Sequence, residues 1–233
     1  MLNDNEIGVG TGTMHILTDY QLELWIRNTS PECRHFSPDE PDWRQLTQYA
    51  AYHAINDWYS LPLKSRTLFS LTKQFERRWT NKFRKFESLA FYMDVKRSVL
   101  THLYKALTGE NAVECPLMLF ESSPVWVEEL HSGLSQIMQV MAPAKDSFVI
   151  HKYVMEENEA AMQLFFHMTV IFCVKAFGKM PESLQVWNML NGKQYRMNRE
   201  EMDLSRSMDY LKLVKEVYLE RDACPCCSAR LVM

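Results

Sequence analysis

The sequence is poor in the residues that mark several classes of protein. Only 7 glycines and 9 prolines occur among 233 residues, which argues against collagen-like and low-complexity chains. The N-terminus lacks the basic segment and apolar core of a secretory signal. The six cysteines, three of them close together near the C-terminus, do not form the pattern of a secreted disulfide framework. These features predict a cytoplasmic protein with reduced thiols.

Long uninterrupted apolar runs are also missing. The longest apolar stretch, residues 160–177, is interrupted by Gln163, His167, Thr169 and Lys175, so it predicts a buried helix rather than a membrane span. Neither glycine-rich nucleotide-binding motif, G-x-x-x-x-G-K-[ST] or G-x-G-x-x-G, occurs. We therefore expect no membrane partner and no nucleotide phosphate cradle.

The patterns that are present predict an α+β (or α/β) fold with a small mixed sheet flanked by helices. Hydrophobic residues make up 47% and charged residues 24%, which are ordinary values for a globular chain. Helical spacing begins at Thr18 and recurs to about residue 107, with helices expected near 67–86 and 87–107. Three or four short strands follow, then a helix over 157–177, a hairpin turning at Asn191-Gly192, and a last helix near 199–220.

This order divides the chain into four predicted parts. They are a flexible N-terminus (1–14), a helical region (15–112), a sheet-and-helix core (113–220) and a cysteine-rich tail (221–233) that packs back on residues near 33. The tail is too short to bury a core of its own. We therefore expect a metal to staple it.

One predicted strand, "SFVIHKYVM", carries Lys152 close to its end, and Ile150 stands two residues earlier. The preceding strand, "GLSQIMQV", contains Gln136. His53 lies in an upstream helix, and Gln163 lies in the helix that follows Lys152. In this arrangement the sequence, from Ile16 to the C-terminus, resembles the RecB-like branch of the PD-(D/E)XK nuclease superfamily.

The resemblance implies a nuclease-like fold whose active-site positions have changed. In that family one strand brings an aspartate, the next brings Asp/Glu-x-Lys, and a helix follows with Q-x-x-x-Y. Here Gln136 and Ile150 replace the two acids, and Lys152 and Gln163 are kept. His167 replaces the tyrosine of the helix motif, and Tyr49 replaces the family glycine four residues before His53. Magnesium requires hard carboxylate oxygens, so these vestigial positions favour a protein that does not cut.

Two other interpretations of the same residues stay open. The strand can be an ordinary core strand whose lysine extends to solvent. The protein can also be an active metal-dependent nuclease whose acids stand elsewhere in the sequence. Glu128 and Glu129 are near, but adjacent strand residues point to opposite faces.

The cysteines predict a metal site. Cys224 and Cys227 form C-x-x-C, a spacing that suits one tetrahedral metal, and "ECRH" supplies further ligands upstream. The predicted ligands are Cys33, Cys224, Cys226 and Cys227, with His35 as a possible substitute. Zinc is the expected metal, and an iron–sulfur cluster is the alternative because several RecB-like members hold one with one cysteine before the core and three after it. Free thiols on a frayed tail are a third interpretation. Cys115 and Cys173 are expected in the core.

Basic residues concentrate in one stretch. Between Lys64 and Lys105 there are eleven Lys/Arg and three Asp/Glu, a charge of +8 in a chain of net charge −3. The predicted phosphate-binding residues are Arg77, Arg78, Lys82, Arg84 and Lys85. The interleaved Phe75, Trp79, Phe83 and Phe86 share one face if the segment is helical, which predicts core residues rather than base-stacking platforms. A solvated helix face or an acidic protein partner would explain the charge equally well.

The sequence thus supports a leading hypothesis and two alternatives. The first is a non-catalytic nuclease-fold subunit that binds nucleic acid or a protein partner within a nucleic-acid-handling complex. The second is a structural or adaptor protein of a phage or multi-subunit assembly with a zinc-stapled tail. The third is an active nuclease.

Overall fold

A mixed six-stranded sheet organises the chain, which a computed structural model describes over residues 15–28, 41–109 and 112–222. The described residues add six α-helices, and the predicted α+β fold is confirmed. The expected metal staple falls in the tail, which lies outside the described residues.

The elements follow one another in the order predicted, with short additions. The helices are α1 (Asp19–Asn28), α2 (Trp43–Ser60), α3 (Leu68–Arg78), α4 (Leu89–Thr108), α5 (Glu159–Phe177) and α6 (Leu204–Asp222). The strands are β1 (Ile16–Thr18), β2 (Met118–Val127), β3 (Ser132–Pro143), β4 (Phe148–Val154), β5 (Ser183–Asn188) and β6 (Gln194–Asn198). Among the described helices, α5 alone has the length and apolar composition to span a membrane, and 61% of its most apolar window is buried inside the fold.

Local chemistry sets several element ends. Thr18 accepts a hydrogen bond from the N–H of Gln21, and α1 begins at Asp19 as expected. Gly109 caps α4. The predicted hairpin turn at Asn191-Gly192 joins β5 to β6. Gly192 has φ +73, and a Cβ there would meet the ring of His102 at 2.6 Å, so the turn requires glycine.

The structure corrects or refines three expectations about the elements. The helix predicted near 67–86 ends at Arg78, and a 3-10 turn, Phe83–Lys85, follows it. The two apolar runs between 116 and 130 belong to one strand, β2, so three strands precede α5, within the three or four predicted; β2 accommodates Pro124 because it lies at the edge of the sheet. The helical N-terminal region also contributes β1 to the sheet.

The sheet separates two hydrophobic cores. One face packs against α1, α5 and α6, and the other packs against α2, α3 and α4. Strands β2, β3 and β4 form an antiparallel meander, and α5 crosses over to place β5 parallel to β4. Strand β6 completes the sheet antiparallel to β5.

Candidate functional site

Strand β3 has a gap along one of its two edges. Strand β2 pairs with it along nearly its whole length. On the opposite edge β1 pairs with residues 133–135 and β4 pairs with residues 140–143, so residues 136–139 have no neighbouring strand there. Backbone groups inside a fold require partners, and side chains supply them here.

Three side chains fill the gap. Asp19 accepts a hydrogen bond from the backbone N–H of Ile137 at 3.1 Å. Gln139 accepts one from the N–H of Tyr153 at 2.7 Å, and its amide donates to the hydroxyl of Tyr52 at 2.6 Å. That hydroxyl donates to the carbonyl of Tyr153 at 2.9 Å. Asp19, Tyr52 and Gln139, together called the polar wedge, therefore join α1 and α2 to the two central strands.

Lys152 lies beside this wedge, near the end of β4. Its Nζ is 2.6 Å from Oε2 of Glu23 on α1 and 5.1 Å from the ring centre of Phe165 on α5. The side chains of Lys152 and Glu23 are only 11% and 19% exposed. This lysine is therefore held by a protein carboxylate rather than extended into solvent.

The ion pair belongs to a larger group, the Lys152 cluster, made of Glu23, Arg27, Arg44, Lys152 and Glu156. Arg27 lies 2.6 Å from Oε1 of Glu23 and also pairs with Glu156. Arg44 of α2 is 3.2 Å from the other oxygen of Glu156. Each carboxylate thus has two cationic partners.

Burial and charge act differently on the two acids of α1. Burial opposes ionisation of Glu23, but Lys152 and Arg27 outweigh it and lower its pKa to about 2. Burial raises the pKa of Asp19, and Lys152 together with two backbone N–H groups offsets only part of that rise. Glu23 is therefore firmly ionised at neutral pH, while ionisation of Asp19 is made less favourable by the fold.

Every member of the cluster except Arg44 lines a recess whose cavity volume is only about 10 Å³, together with Met162 and Phe165 of α5. Ligand pockets typically measure about 300–1,000 Å³. The recess is therefore small for a substrate site, and its charged walls are already paired with one another.

The candidate residues that the nuclease resemblance predicts are distributed unevenly around this cluster. Gln136 is buried in β3 and donates to the hydroxyl of Thr169 on α5 at 2.6 Å. Ile150 is 1% exposed and belongs to the core between the sheet and α5. Gln136 offers only a neutral amide oxygen, which has no hydrogen-bond partner among the described residues, and Ile150 offers no oxygen, so neither position supplies a carboxylate. Of the predicted set, only Lys152 lies in the cluster.

The upstream candidate, His53, and the downstream candidate, Gln163, form no ion pair or hydrogen bond with the Lys152 cluster. The ring of His53 packs on Tyr49, with the centroids 4.3 Å apart, and the neighbouring Tyr52 contacts the strands instead. Gln163 is half-buried and makes no side-chain hydrogen bond with the described residues. His167 contacts Ser207 of α6 at 3.0 Å.

Sequence reasoning missed Asp19, Glu23, Tyr52 and Gln139. Their contacts with the central strands span from 14 to 129 positions along the chain. The one local signal is the i, i+4 spacing of Glu23 and Arg27, which is common on solvated helices. Only the fold brings these residues together.

The predicted metal ligands lie outside the described residues. These are Cys33, His35, Cys224, Cys226 and Cys227. Within the described residues no group of three or more His, Cys, Asp or Glu side chains is arranged to hold a metal ion. Cys173 is buried as expected, whereas Cys115 is exposed, because it lies in the connection before β2 rather than in the core.

The second candidate surface is the basic turn, made of Arg77, Arg78, Lys82, Arg84 and Lys85. Lys82 and Arg84 are exposed and form no ion pair with the described residues. Arg77 is exposed but lies 3.0 Å from Asp57, and Arg78 and Lys85 are half-buried. The free positive charge is therefore centred on the turn between α3 and α4.

Much of the remaining charge in this stretch has a structural role. Arg66 donates to the backbone carbonyls of Leu61, Glu114 and Tyr59, so it connects the end of α2 to the segment before β2. Lys96 pairs with Glu76 and Arg97 pairs with Asp94. Fewer of the eleven cations in this stretch are therefore free to contact a ligand than their number in the sequence suggests.

Aromatic rings pack around Phe86, the residue that follows the basic turn, and hold this part of the chain in place. Phe86 is 5% exposed and contacts Trp43, Trp79 and Tyr92 at ring-centre distances of 5.8, 6.0 and 5.0 Å. The hydroxyl of Tyr92 donates to the carbonyl of Thr80 at 2.7 Å.

The prediction that the four interleaved aromatics share one helical face was wrong. Phe83 and Phe86 lie beyond the end of α3. Phe75, Trp79 and Phe86 do pack in the core between the sheet and the helices, whereas Phe83 is 47% exposed.

No protein-family model matches the sequence, and no curated protein matches it either.

Proposed function

We propose that this protein is a non-catalytic, nuclease-like subunit that binds nucleic acid within a larger complex. The observation that carries the proposal is the state of Lys152. Its ammonium group is 2.6 Å from Glu23, while the two positions that would carry metal-binding acids hold a hydrogen-bonded glutamine and a buried isoleucine. The lysine completes an internal ion pair instead of serving a metal-bound phosphate.

The order of the elements supports the nuclease-like part of the proposal. Gln136 lies in β3, Lys152 lies in the next strand, and Gln163 lies in the helix that follows. This is the succession of strand, strand and helix that the resemblance to RecB-like nucleases implies. The helical region before the sheet also corresponds to that pattern.

The basic turn supports the binding part. Lys82 and Arg84 are exposed on a segment that the aromatic rings hold in place, and no acid occurs between Arg78 and Phe86. Cations that neutralise phosphates release counterions, so such binding weakens steeply as salt rises.

Fluorescence anisotropy with labelled DNA and RNA, measured over a range of salt concentrations, tests the binding. We expect the Lys82→Gln/Arg84→Gln variant to bind more weakly and to show a log–log salt slope smaller by about 0.7 for each phosphate of a single strand that the variant no longer neutralises. Lys145→Gln/Lys179→Gln is the matched control, because it removes the same charge from exposed positions elsewhere. No binding by wild type at low salt, or equally weakened binding in the two variants, would refute the proposed surface.

One observation favours the active nuclease as an alternative. Asp19 and Glu23 are one helical turn apart, and both interact electrostatically with Lys152. Two carboxylates beside a lysine are the chemistry of a metal-dependent nuclease, here supplied by α1 instead of the strands. Manganese-dependent cleavage by wild type that is abolished in Glu23→Gln, at a temperature where circular dichroism shows the variant to be folded, would establish this alternative.

A different observation favours the structural or adaptor alternative. Leu63, Leu68 and Phe69 are 55%, 48% and 79% exposed around the turn that starts α3. Exposed apolar groups so close together are typical of protein contact sites. A defined complex from the native source that Phe69→Ser disrupts and Lys82→Gln/Arg84→Gln leaves intact would support an assembly role.

We also propose that a zinc ion connects the N-terminal part of the chain to the C-terminal tail. Its ligands would be Cys33, Cys224, Cys226 and Cys227, and an iron–sulfur cluster is the alternative. The chemical basis of this site is the thiolate spacing alone. A cytoplasmic location accords with the cysteine usage.

A further inference from the structure

Phe83 is an exposed aromatic ring inside the basic turn. It begins the 3-10 turn Phe83–Lys85 and is 47% exposed, and the exposed cations Lys82 and Arg84 are its neighbours on either side. Leaving apolar ring surface in water is unfavourable. A ring in this position is therefore suited to contact a partner that also interacts with the cations.

The ring is held on a rigid support. The N–H of Phe83 donates to the carbonyl of Asn81 at 2.9 Å, and the N–H of Phe86 donates to the carbonyl of Phe83 at 3.0 Å. Phe86 is anchored in turn by Trp43, Trp79 and Tyr92. Because the backbone on both sides of Phe83 is fixed, little conformational entropy is lost when a ligand contacts it.

We propose that Phe83 stacks on an unpaired base while Lys82 and Arg84 hold the neighbouring phosphates, so that the basic turn selects single-stranded nucleic acid. This inference rests on the proposed nucleic-acid binding and specifies its substrate class. Every base has an apolar face, and a single strand exposes that face, whereas a duplex buries it between neighbouring bases. A purely electrostatic surface would not make this distinction.

The charge around Phe83 favours this ligand over an apolar protein surface. From Arg77 to Phe86 the sequence contains five cations and no acid. A polyanion that carries flat apolar groups matches an exposed ring flanked by two exposed cations. The more exposed Phe69 lies at the start of α3, away from this turn, and serves as a control.

The test compares three ligands of about 15 nucleotides: a mixed-sequence single strand, the same strand as a duplex, and an abasic strand with an intact phosphate backbone. At about 50 mM salt we expect wild type to bind the single strand more tightly than the other two. Phe83→Ala should weaken single-strand binding by about 5- to 100-fold and change duplex and abasic binding by less than about 2-fold. Phe83→Trp should restore single-strand binding, and Phe69→Ala should leave all three unchanged.

The outcomes separate this inference from the proposed function. Single-strand binding that Phe83→Ala leaves intact, or equally weakened binding of the abasic strand, would overturn stacking while preserving the basic turn as a binding surface. Failure of wild type to bind any of the three ligands would overturn the proposed function, and the inference with it. Unchanged melting temperature of Phe83→Ala, expected because the ring is half exposed, shows that the variant is folded.

Discussion

Replacement of Glu23 by glutamine tests the electrostatic core of the Lys152 cluster. The substitution keeps the shape of the side chain and removes its charge, leaving Lys152, which is 11% exposed, without its carboxylate 2.6 Å away. Removing one partner of a buried pair is costly because the other charge stays buried without compensation.

The magnitude follows from the pKa of Glu23. A pKa lowered from 4.5 to about 2 corresponds to about 3 kcal/mol of folding free energy. Since the folded-state pKa is lowered, this stabilisation is present above pH 4.5 and is lost as the pH falls toward 2. We therefore expect Glu23→Gln to lower the free energy of unfolding by about 3 kcal/mol at neutral pH, and by roughly half of that or less at about pH 3.

Urea denaturation of both proteins across this pH range is the assay. Lys152→Met in the Glu23→Gln background should recover part of the stability, because it removes the uncompensated ammonium group. Asp19→Asn is the matched control on the same helix. Since burial raises the pKa of Asp19, its charge does not stabilise the fold, and an amide oxygen can still accept from Ile137. A destabilisation below about 0.5 kcal/mol in Glu23→Gln, or one that is constant with pH, would refute this reasoning.

Two further predictions concern the polar wedge and the tail. Tyr52→Phe should lower the free energy of unfolding, measured by urea denaturation, by about 2 kcal/mol, because it leaves the carbonyl of Tyr153 and the amide NH2 group of Gln139 without a partner. His53→Ala should lower it by less than about 1 kcal/mol, and similar losses in the two variants would contradict the assignment. Elemental analysis of protein prepared without a metal-binding tag should find about one equivalent of zinc. A Cys224→Ser/Cys227→Ser variant should lack the zinc and melt at a lower temperature. Iron and sulfide would indicate a cluster, whereas metal-free protein whose melting temperature is the same in the variant would rule out the site.

The sequence predicts most of the fold because periodicity and turn residues are local signals. The hairpin at Asn191-Gly192 and the helix over 157–177 are both present. The errors arise where tertiary contacts override spacing. The positions of Phe75, Trp79 and Phe83 mimic a continuing helix, yet the chain turns after Arg78 so that Phe86 can pack among the rings of the helical core.

The site was much less accessible to sequence reasoning. Lys152 could be identified from its strand, but Glu23, its partner, is 129 positions away. The resemblance pointed to His53, and the residue that contacts the strands is its neighbour, Tyr52. One residue along a helix turns a side chain by roughly 100°, so an assignment shifted by one position selects a different face.

A single cleavage experiment tests most directly the central claim that the protein binds nucleic acid without cutting it. End-labelled single-stranded and duplex DNA and RNA are incubated with the purified protein and Mg²⁺ or Mn²⁺, and bound and cut fractions are measured in the same samples. The claim predicts that the strands are bound at low salt and recovered intact, since Lys152 is paired with Glu23 and positions 136 and 150 offer no carboxylate. Metal-dependent cleavage by wild type that disappears in Lys152→Ala would contradict it.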